Sequence, residues 1–146
     1  MFPNMNKKAE AFAKYLEEKD IKAFTSEEIP EDPQHTALFR SHLLIEGQQL
    51  PLLVLLDDSV FAVLRVQISP QALNDENKAA LHQLVNDENM KYKPFKLYFD
   101  TAGDLILDSF LVGTDEEVSG EQIYNMFDVI ISYLNTSYRT IMKAIW

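Results

Sequence analysis

The sequence contains no cysteine, and glycine and histidine are scarce. Without cysteine the chain can form no disulfide framework, no thiolate nucleophile and no cysteine-ligated zinc site. Its four glycines make up neither a phosphate-binding loop nor a dinucleotide fingerprint, because Gly47, Gly103, Gly113 and Gly120 lie too far apart in sequence. A chain without cysteine also fits a reducing compartment.

Long hydrophobic runs are missing as well. The most apolar run, from Leu50 to Leu56, is about a third of a membrane span and contains Pro51. The N-terminal lysines Lys7 and Lys8 are not followed by the apolar stretch of a signal peptide. We therefore expect a cytoplasmic protein that does not insert into a membrane.

Acidic residues dominate the charge of the chain. They number 23 against 13 basic residues, which gives a formal net charge of −10 and a pI near 4.6. Such a field repels phosphate backbones, and no basic patch offsets it, so a nucleic-acid role is not expected. With 146 residues, 47% hydrophobic and 25% charged, the composition is typical of one folded domain. We expect a single α+β domain over residues 1–146.

The side chains that could carry chemistry do not assemble into a site. None of His35, His42 and His82 has a partner at metal-ligand spacing. Asp57 and Asp58 are neighbours in a turn, where aspartate is common, and adjacent side chains point apart. We therefore predict a non-enzymatic protein with no catalytic residue, no metal site and no cofactor. The alternative enzyme would use His42 or His82 with a nearby carboxylate.

Hydrophobic periodicity divides the chain into helices and strands. An amphipathic helix is predicted from Asn4 to about Lys19, with Asn4 or Asn6 as its cap, and Thr25 to His35 has the composition of a loop. Ser69 and Pro70 are expected to open a second helix, which ends at residues 86–89. The predicted strands are Ala37–Glu46, Leu50–Leu56, Val60–Ile68, Phe95–Phe99 and Leu105–Leu111. The order α-β-β-β-α-β-β-α predicts a five-stranded antiparallel sheet with helices.

The last helix is the best marked element. Ser119 and Gln122 match a capping box. A narrow stripe that should pack on the sheet is formed by Ile123, Phe127, Ile130, Leu134, Ile141 and Ile145. With the flanking residues Tyr124, Ile131 and Met142 on one side and Met126, Val129 and Tyr133 on the other, the apolar arc spans roughly 220°.

This arc is wider than packing on one surface requires, and two explanations are open. The sheet could curl around the helix, or the first helix could pack beside it. One flank could instead form a subunit or ligand interface.

The second half of the chain resembles a known family. The segment Leu81–Asn89, followed by Tyr92–Phe99, the turn Asp100–Asp104 and the strand start Leu105–Leu107, resembles the YbjN-like family. The closing helix Gln122–Ile145 is similar too. The element order also resembles the type III secretion chaperone-like domains, and the resemblance covers roughly residues 37–145.

What the resemblance implies is a binding function. Secretion chaperones of this shape are homodimers that hold an extended segment of a client protein. We therefore expect a homodimeric chaperone, adaptor or regulator whose partner is a protein, with a basic client segment favoured by the acidic surface. The candidate contact residues are Phe61, Arg65, Tyr98, Tyr124, Ile131 and Met142. The alternative is a small-molecule sensor with a pocket between sheet and helices.

Overall fold

The computed structural model describes residues 5–114 and 117–146, and the possible cap Asn4 lies outside this range. The elements, in chain order, are α1 (Lys7–Glu18), β1 (Thr25–Glu28), β2 (Ala37–Ile45), β3 (Gln48–Leu56), β4 (Phe61–Ser69), α2 (Lys78–Lys91), β5 (Phe95–Phe99), β6 (Leu105–Val112) and α3 (Gly120–Ile145). The described strands form one sheet in the order β1-β2-β3-β4-β6-β5, with every neighbouring pair antiparallel. The expected α+β class and antiparallel sheet are confirmed.

The sheet has six strands, so the predicted five were wrong. The additional strand is β1, in the segment that was predicted to be a loop. Its residues are polar on both faces, and Pro30 follows closely, so no alternation marks it as a strand. Pairing with β2, from Thr25 opposite Arg40 to Glu28 opposite Ala37, holds it extended.

The second helix begins later than its sequence predicts. Ser69 belongs to β4 and pairs with Leu105, and the helical cap position is Asn77. The intervening turn is held by backbone hydrogen bonds from Ala72 and Leu73 to the carbonyl of Gly103. Because of these contacts with the turn between β5 and β6, which the local sequence does not reveal, the helix does not begin at Ser69 and Pro70 as predicted. The helix also continues to Lys91, beyond the predicted end.

The other boundaries follow the local sequence. Asn6 caps α1 by accepting from the backbone of Ala9, and Ser119 and Gln122 form the expected capping box of α3. The turn between β2 and β3 consists of Glu46 and Gly47, both with positive φ, as a two-residue hairpin turn requires. These turns fix the register that places alternate side chains on opposite faces of the sheet.

The core lies between one face of the sheet and the helices. The ring of Phe12 in α1 meets Phe39 at 4.9 Å between centroids, and Tyr133 in α3 meets Phe95 at 4.4 Å. His82 in α2 lies 5.5 Å from Phe99. The three strand residues in these contacts, Phe39, Phe95 and Phe99, point to the same side of the sheet. All three described helices therefore cover that side.

Candidate protein-binding surface

The opposite side of the sheet carries no helix among the described elements. We call it the helix-free face. Strand alternation and register place on it Thr25 and Glu27 (β1), Leu38, Arg40, His42 and Leu44 (β2), Gln49, Pro51, Leu53 and Leu55 (β3), Phe61, Val63, Arg65 and Gln67 (β4), Ile106, Asp108, Phe110 and Val112 (β6), and Lys96 and Tyr98 (β5).

One end of the helix-free face is apolar and open to water. Phe61 is paired with Val112, and the next pair of these two strands that faces the same side is Val63 with Phe110. Phe61, Phe110 and Val112 are exposed to 49%, 39% and 71%. These four residues form what we call the apolar patch. A contiguous exposed apolar group on a sheet is the usual mark of a contact surface.

The centre of the helix-free face holds an ion pair. The guanidinium of Arg65 donates to both carboxylate oxygens of Asp108, from Nε at 2.8 Å and from Nη2 at 2.9 Å. The hydroxyl of Tyr98 donates to the same carboxylate at 2.9 Å. The side chain of Asp108 is 3% exposed and that of Arg65 is 38% exposed. In the middle of the face, the negative charge of Asp108 is therefore neutralised by the positive charge of Arg65.

These contacts shift the titration of two of the groups. The hydrogen bond to Asp108 is the main cause that raises the pKa of Arg65 above its usual value. Burial, followed by the hydrogen bond to Asp108, raises the pKa of Tyr98. The raised pKa values widen the pH range over which Arg65 and Tyr98 remain protonated donors to Asp108.

The helix-free face carries little of the acidic charge of the protein. Its outward carboxylates are Glu27 and Asp108, and each accepts from an arginine, Arg40 at 2.8 Å for Glu27. Lys96 adds a cation, whose Nζ lies 5.0 Å from the ring centroid of Tyr98. The chain has 23 acidic residues, so most of its carboxylates lie elsewhere.

The predicted contact residues divide between two surfaces. Phe61, Arg65 and Tyr98 lie together on the helix-free face, and Arg65 and Tyr98 share Asp108. Asp108, Phe110 and Val112 were not predicted, although the alternation along β6 could have placed them on the same face as their partners in β4. Their role in contact remains a proposal.

The helix residues Tyr124, Ile131 and Met142 lie in the helical layer and are half-buried. Tyr124 packs against the ring of Tyr15 at 5.7 Å between centroids and against Phe24 at 6.4 Å. Burial raises the pKa of Tyr124. The packing of α1 beside α3, which was one of the two explanations of the wide apolar arc, is thus present on the Tyr124 flank.

The histidines lie apart from one another. His35 contacts Asp58 at 2.5 Å between Nδ1 and a carboxylate oxygen, and this hydrogen bond raises the pKa of His35. His82 packs on Phe99, and His42 is exposed on the helix-free face. Within residues 5–114 and 117–146, no cluster of three or more His, Asp or Glu side chains has the geometry of a metal site. No described helix combines the length and apolarity needed to cross a membrane.

Comparison with known proteins gives a family and a fold. A family model described as "Putative bacterial sensory transduction regulator", the YbjN family, matches residues 9–142. Among solved structures, a chain in the crystal structure of the ExsC–ExsE complex is similar, with a TM-score of 0.56, 12% identity, and coverage of 90% of this chain and 91% of that chain. No curated protein matches the chain. The expected resemblance to YbjN-like and secretion chaperone-like proteins is confirmed; at this identity the structural likeness concerns the fold.

Proposed function

Since the chain belongs to the YbjN family, we propose that it is a non-enzymatic protein-binding domain that acts as a chaperone, adaptor or regulator in the cytoplasm. We further propose that it works as a homodimer and that the helix-free face is the contact surface between the two copies. The structural neighbour is itself part of a complex, ExsC with ExsE, which is in line with a protein partner.

The observation that carries the proposal is the apolar patch at the end of the helix-free face. Phe61, Val63, Phe110 and Val112 are adjacent on two paired strands, and three of them are widely exposed. Burial of this group against a like surface would remove apolar area from water, at roughly 25 cal/mol for each Å². A two-fold contact needs only one self-complementary surface, because the same patch is used on both copies.

Electrostatics favour a second copy as the occupant of this face. Two chains of net charge −10 repel each other, so their contact requires a surface from which unpaired carboxylates are absent. The helix-free face meets this condition, because Glu27 and Asp108 are both ion-paired with arginine. A basic client segment is expected to bind on the acidic remainder of the surface.

The test compares two exposed apolar residues on opposite sides of the molecule. Val112 on the helix-free face is 71% exposed, and Met90 on α2 is 73% exposed, so we expect the fold to tolerate an aspartate at either position. The mass of wild type, Val112→Asp and Met90→Asp is measured by sedimentation over a range of concentrations. We expect dimers for wild type and Met90→Asp, and monomers for Val112→Asp.

Two results would contradict the proposal. If the wild-type chain keeps the monomer mass of 16.8 kDa at all concentrations, it does not self-associate and the homodimer proposal is wrong. Dissociation by Met90→Asp but not by Val112→Asp would place the contact on the helical layer. Circular dichroism of both variants verifies that each is folded.

The small-molecule sensor remains the alternative function. Its pocket was expected between the sheet and the helices, where the side chains of Leu64, Leu107 and Ile130 are 0% exposed. At the centre of that layer a ligand would have to displace packed core side chains. The cavity between α3 and the start of β5 lies at the edge of the layer, where exposed polar side chains of α3 line it. The protein-binding function therefore takes precedence, and a ligand-induced rise in thermal stability without any protein partner would reverse this order.

A further inference from the structure

A second surface, on the helical side, has different chemistry. A cavity of about 430 Å³ lies between α3 and the start of β5. Its rim consists of Asp128, Ser132 and Thr136, which are spaced four residues apart and so lie along one side of α3. Three aromatic rings and Val129 form the rest of its lining. We call this cavity the aromatic groove, lined by Tyr92, Phe95, Asp128, Ser132, Tyr133 and Thr136.

The aromatic rings of the groove pack against one another. Tyr92 and Tyr133 meet edge to face at 4.6 Å between centroids, and Tyr92 and Phe95 stack at 5.7 Å. Phe95 and Tyr133 are buried, and Tyr92 is half-buried at the wall. Tyr92 is therefore the ring that an approaching group can reach, and an aromatic ring attracts a cation within about 6 Å of its centroid.

A buried carboxylate lies behind the rings. The side chain of Glu88 is 8% exposed, and it accepts a hydrogen bond of 2.9 Å from the hydroxyl of Tyr133. Burial, and then this hydrogen bond, raises the pKa of Tyr133, so the phenol remains a donor to Glu88. Lys91 lies 3.5 Å from the other oxygen of Glu88, but its side chain is 67% exposed and extends into solvent.

The rim adds exposed hydrogen-bond acceptors. Asp128 is exposed and forms no ion pair with any other described residue. The hydroxyl of Thr136 donates to the carbonyl of Ser132 at 3.1 Å, which leaves its lone pairs available. Val129, 43% exposed, gives the groove an apolar wall beside Asp128. A long side chain with an apolar stem and a cationic end matches this arrangement.

We infer that the aromatic groove binds an arginine or lysine side chain presented by an extended basic segment of the protein partner. The stem lies along Val129 and the cationic group binds Asp128, beside the half-buried ring of Tyr92. This inference rests on the proposed protein-binding function and places the client on a surface distinct from the helix-free face. The net charge of −10 supports a basic occupant by steering and complementarity.

The test uses a short peptide and its neutral counterpart. A glycine- and serine-based heptapeptide with one central arginine is titrated into isotopically labelled protein, and amide shifts are followed by NMR. The same peptide with citrulline, which keeps the shape and removes the charge, is the ligand control. We expect saturable shifts at residues 92, 93, 95 and 128–136 with arginine only.

Two matched variants test whether peptide binding depends on the groove or only on the overall negative charge of the protein. Asp128→Asn removes the rim carboxylate, and Asp75→Asn removes an exposed carboxylate in the turn before α2. We expect Asp128→Asn to weaken binding about tenfold and Asp75→Asn to leave it unchanged. Equal weakening by both variants, or equal binding of the citrulline peptide, would overturn the inference.

Two further readouts separate this inference from its alternatives. Free arginine that binds as tightly as the peptide would assign the groove to a small molecule and overturn the assignment to a partner side chain. The mass of Asp128→Asn in solution must equal that of wild type, since the groove is not on the helix-free face. A wild-type chain that dimerises but does not bind the arginine peptide would overturn only the groove, whereas a monomeric wild-type chain that binds the peptide would overturn only the dimer.

Discussion

Replacement of Arg65 by methionine tests whether the ion pair at the centre of the helix-free face holds the sheet together. Asp108, whose side chain is 3% exposed, would keep only the hydrogen bond from Tyr98. Removal of one partner from a buried pair costs about 3–5 kcal/mol. The side chain of Arg65 is 38% exposed, so water can reach the carboxylate in its place and the loss should be smaller.

We therefore expect Arg65→Met to lower the free energy of unfolding by about 2–3 kcal/mol, which corresponds to roughly 5–10 °C in melting temperature for a chain of this size. Urea unfolding, followed by circular dichroism, measures the change. The protein concentration is kept fixed, because association adds stability that depends on concentration.

The double variant Arg65→Met with Asp108→Leu is the internal control. Replacement of both charges by apolar side chains removes the unpaired carboxylate, so the double variant should lie within about 1 kcal/mol of wild type. Wild-type stability of Arg65→Met would refute the reasoning. The reasoning would also be refuted if the double variant loses more free energy of unfolding than the two single variants lose together.

Three further changes follow from local contacts. Gly120→Ala places a Cβ 2.2 Å from Cγ of Tyr15, so the ring must shift and thermal unfolding should show a loss of about 1–3 kcal/mol. Ser119→Ala removes the capping box of α3 and should cost about 1 kcal/mol in urea unfolding, whereas Ser119→Asp should retain most of the stability. The pKa of His35 is raised in the folded state by Asp58, so its stabilising contribution is complete below pH 6.5 and is lost as the pH rises through the folded-state pKa. His35→Gln should abolish this part of the pH dependence, and an unchanged pH profile of the unfolding midpoint would show that the contact contributes nothing.

The parts of the fold that were predictable are those that local patterns determine. Ser119 and Gln122 mark the start of α3 by their side-chain chemistry, and alternation along β4 assigns Phe61 and Arg65 to one face. In contrast, β1 was missed because its polar residues acquire strand geometry only from pairing with β2. Alternation of apolar and polar residues is the pattern that predicts a strand, and Thr25–Glu28 contains no apolar residue.

The candidate surfaces could also be predicted only where local patterns determine them. Alternation along β4 predicts that Phe61 and Arg65 share a face, but that Tyr98 lies on the same face and that α1, α2 and α3 all cover the opposite side depends on strand pairing and long-range packing. The flank of α3 at Tyr124 is apolar because Tyr15 and Phe24 pack there. A helical wheel counts this flank as exposed, since the partner that covers it lies about a hundred residues away in sequence.

The central claim is that two copies meet through the helix-free face, and thiol accessibility tests it most directly. The natural chain has no cysteine, so single variants Val112→Cys and Met90→Cys each carry one reporter. The rate of maleimide labelling is measured at increasing protein concentration. We predict that labelling at position 112 slows as the dimer forms while labelling at position 90 stays constant. A constant rate at position 112, or slowing at position 90 alone, would contradict the account.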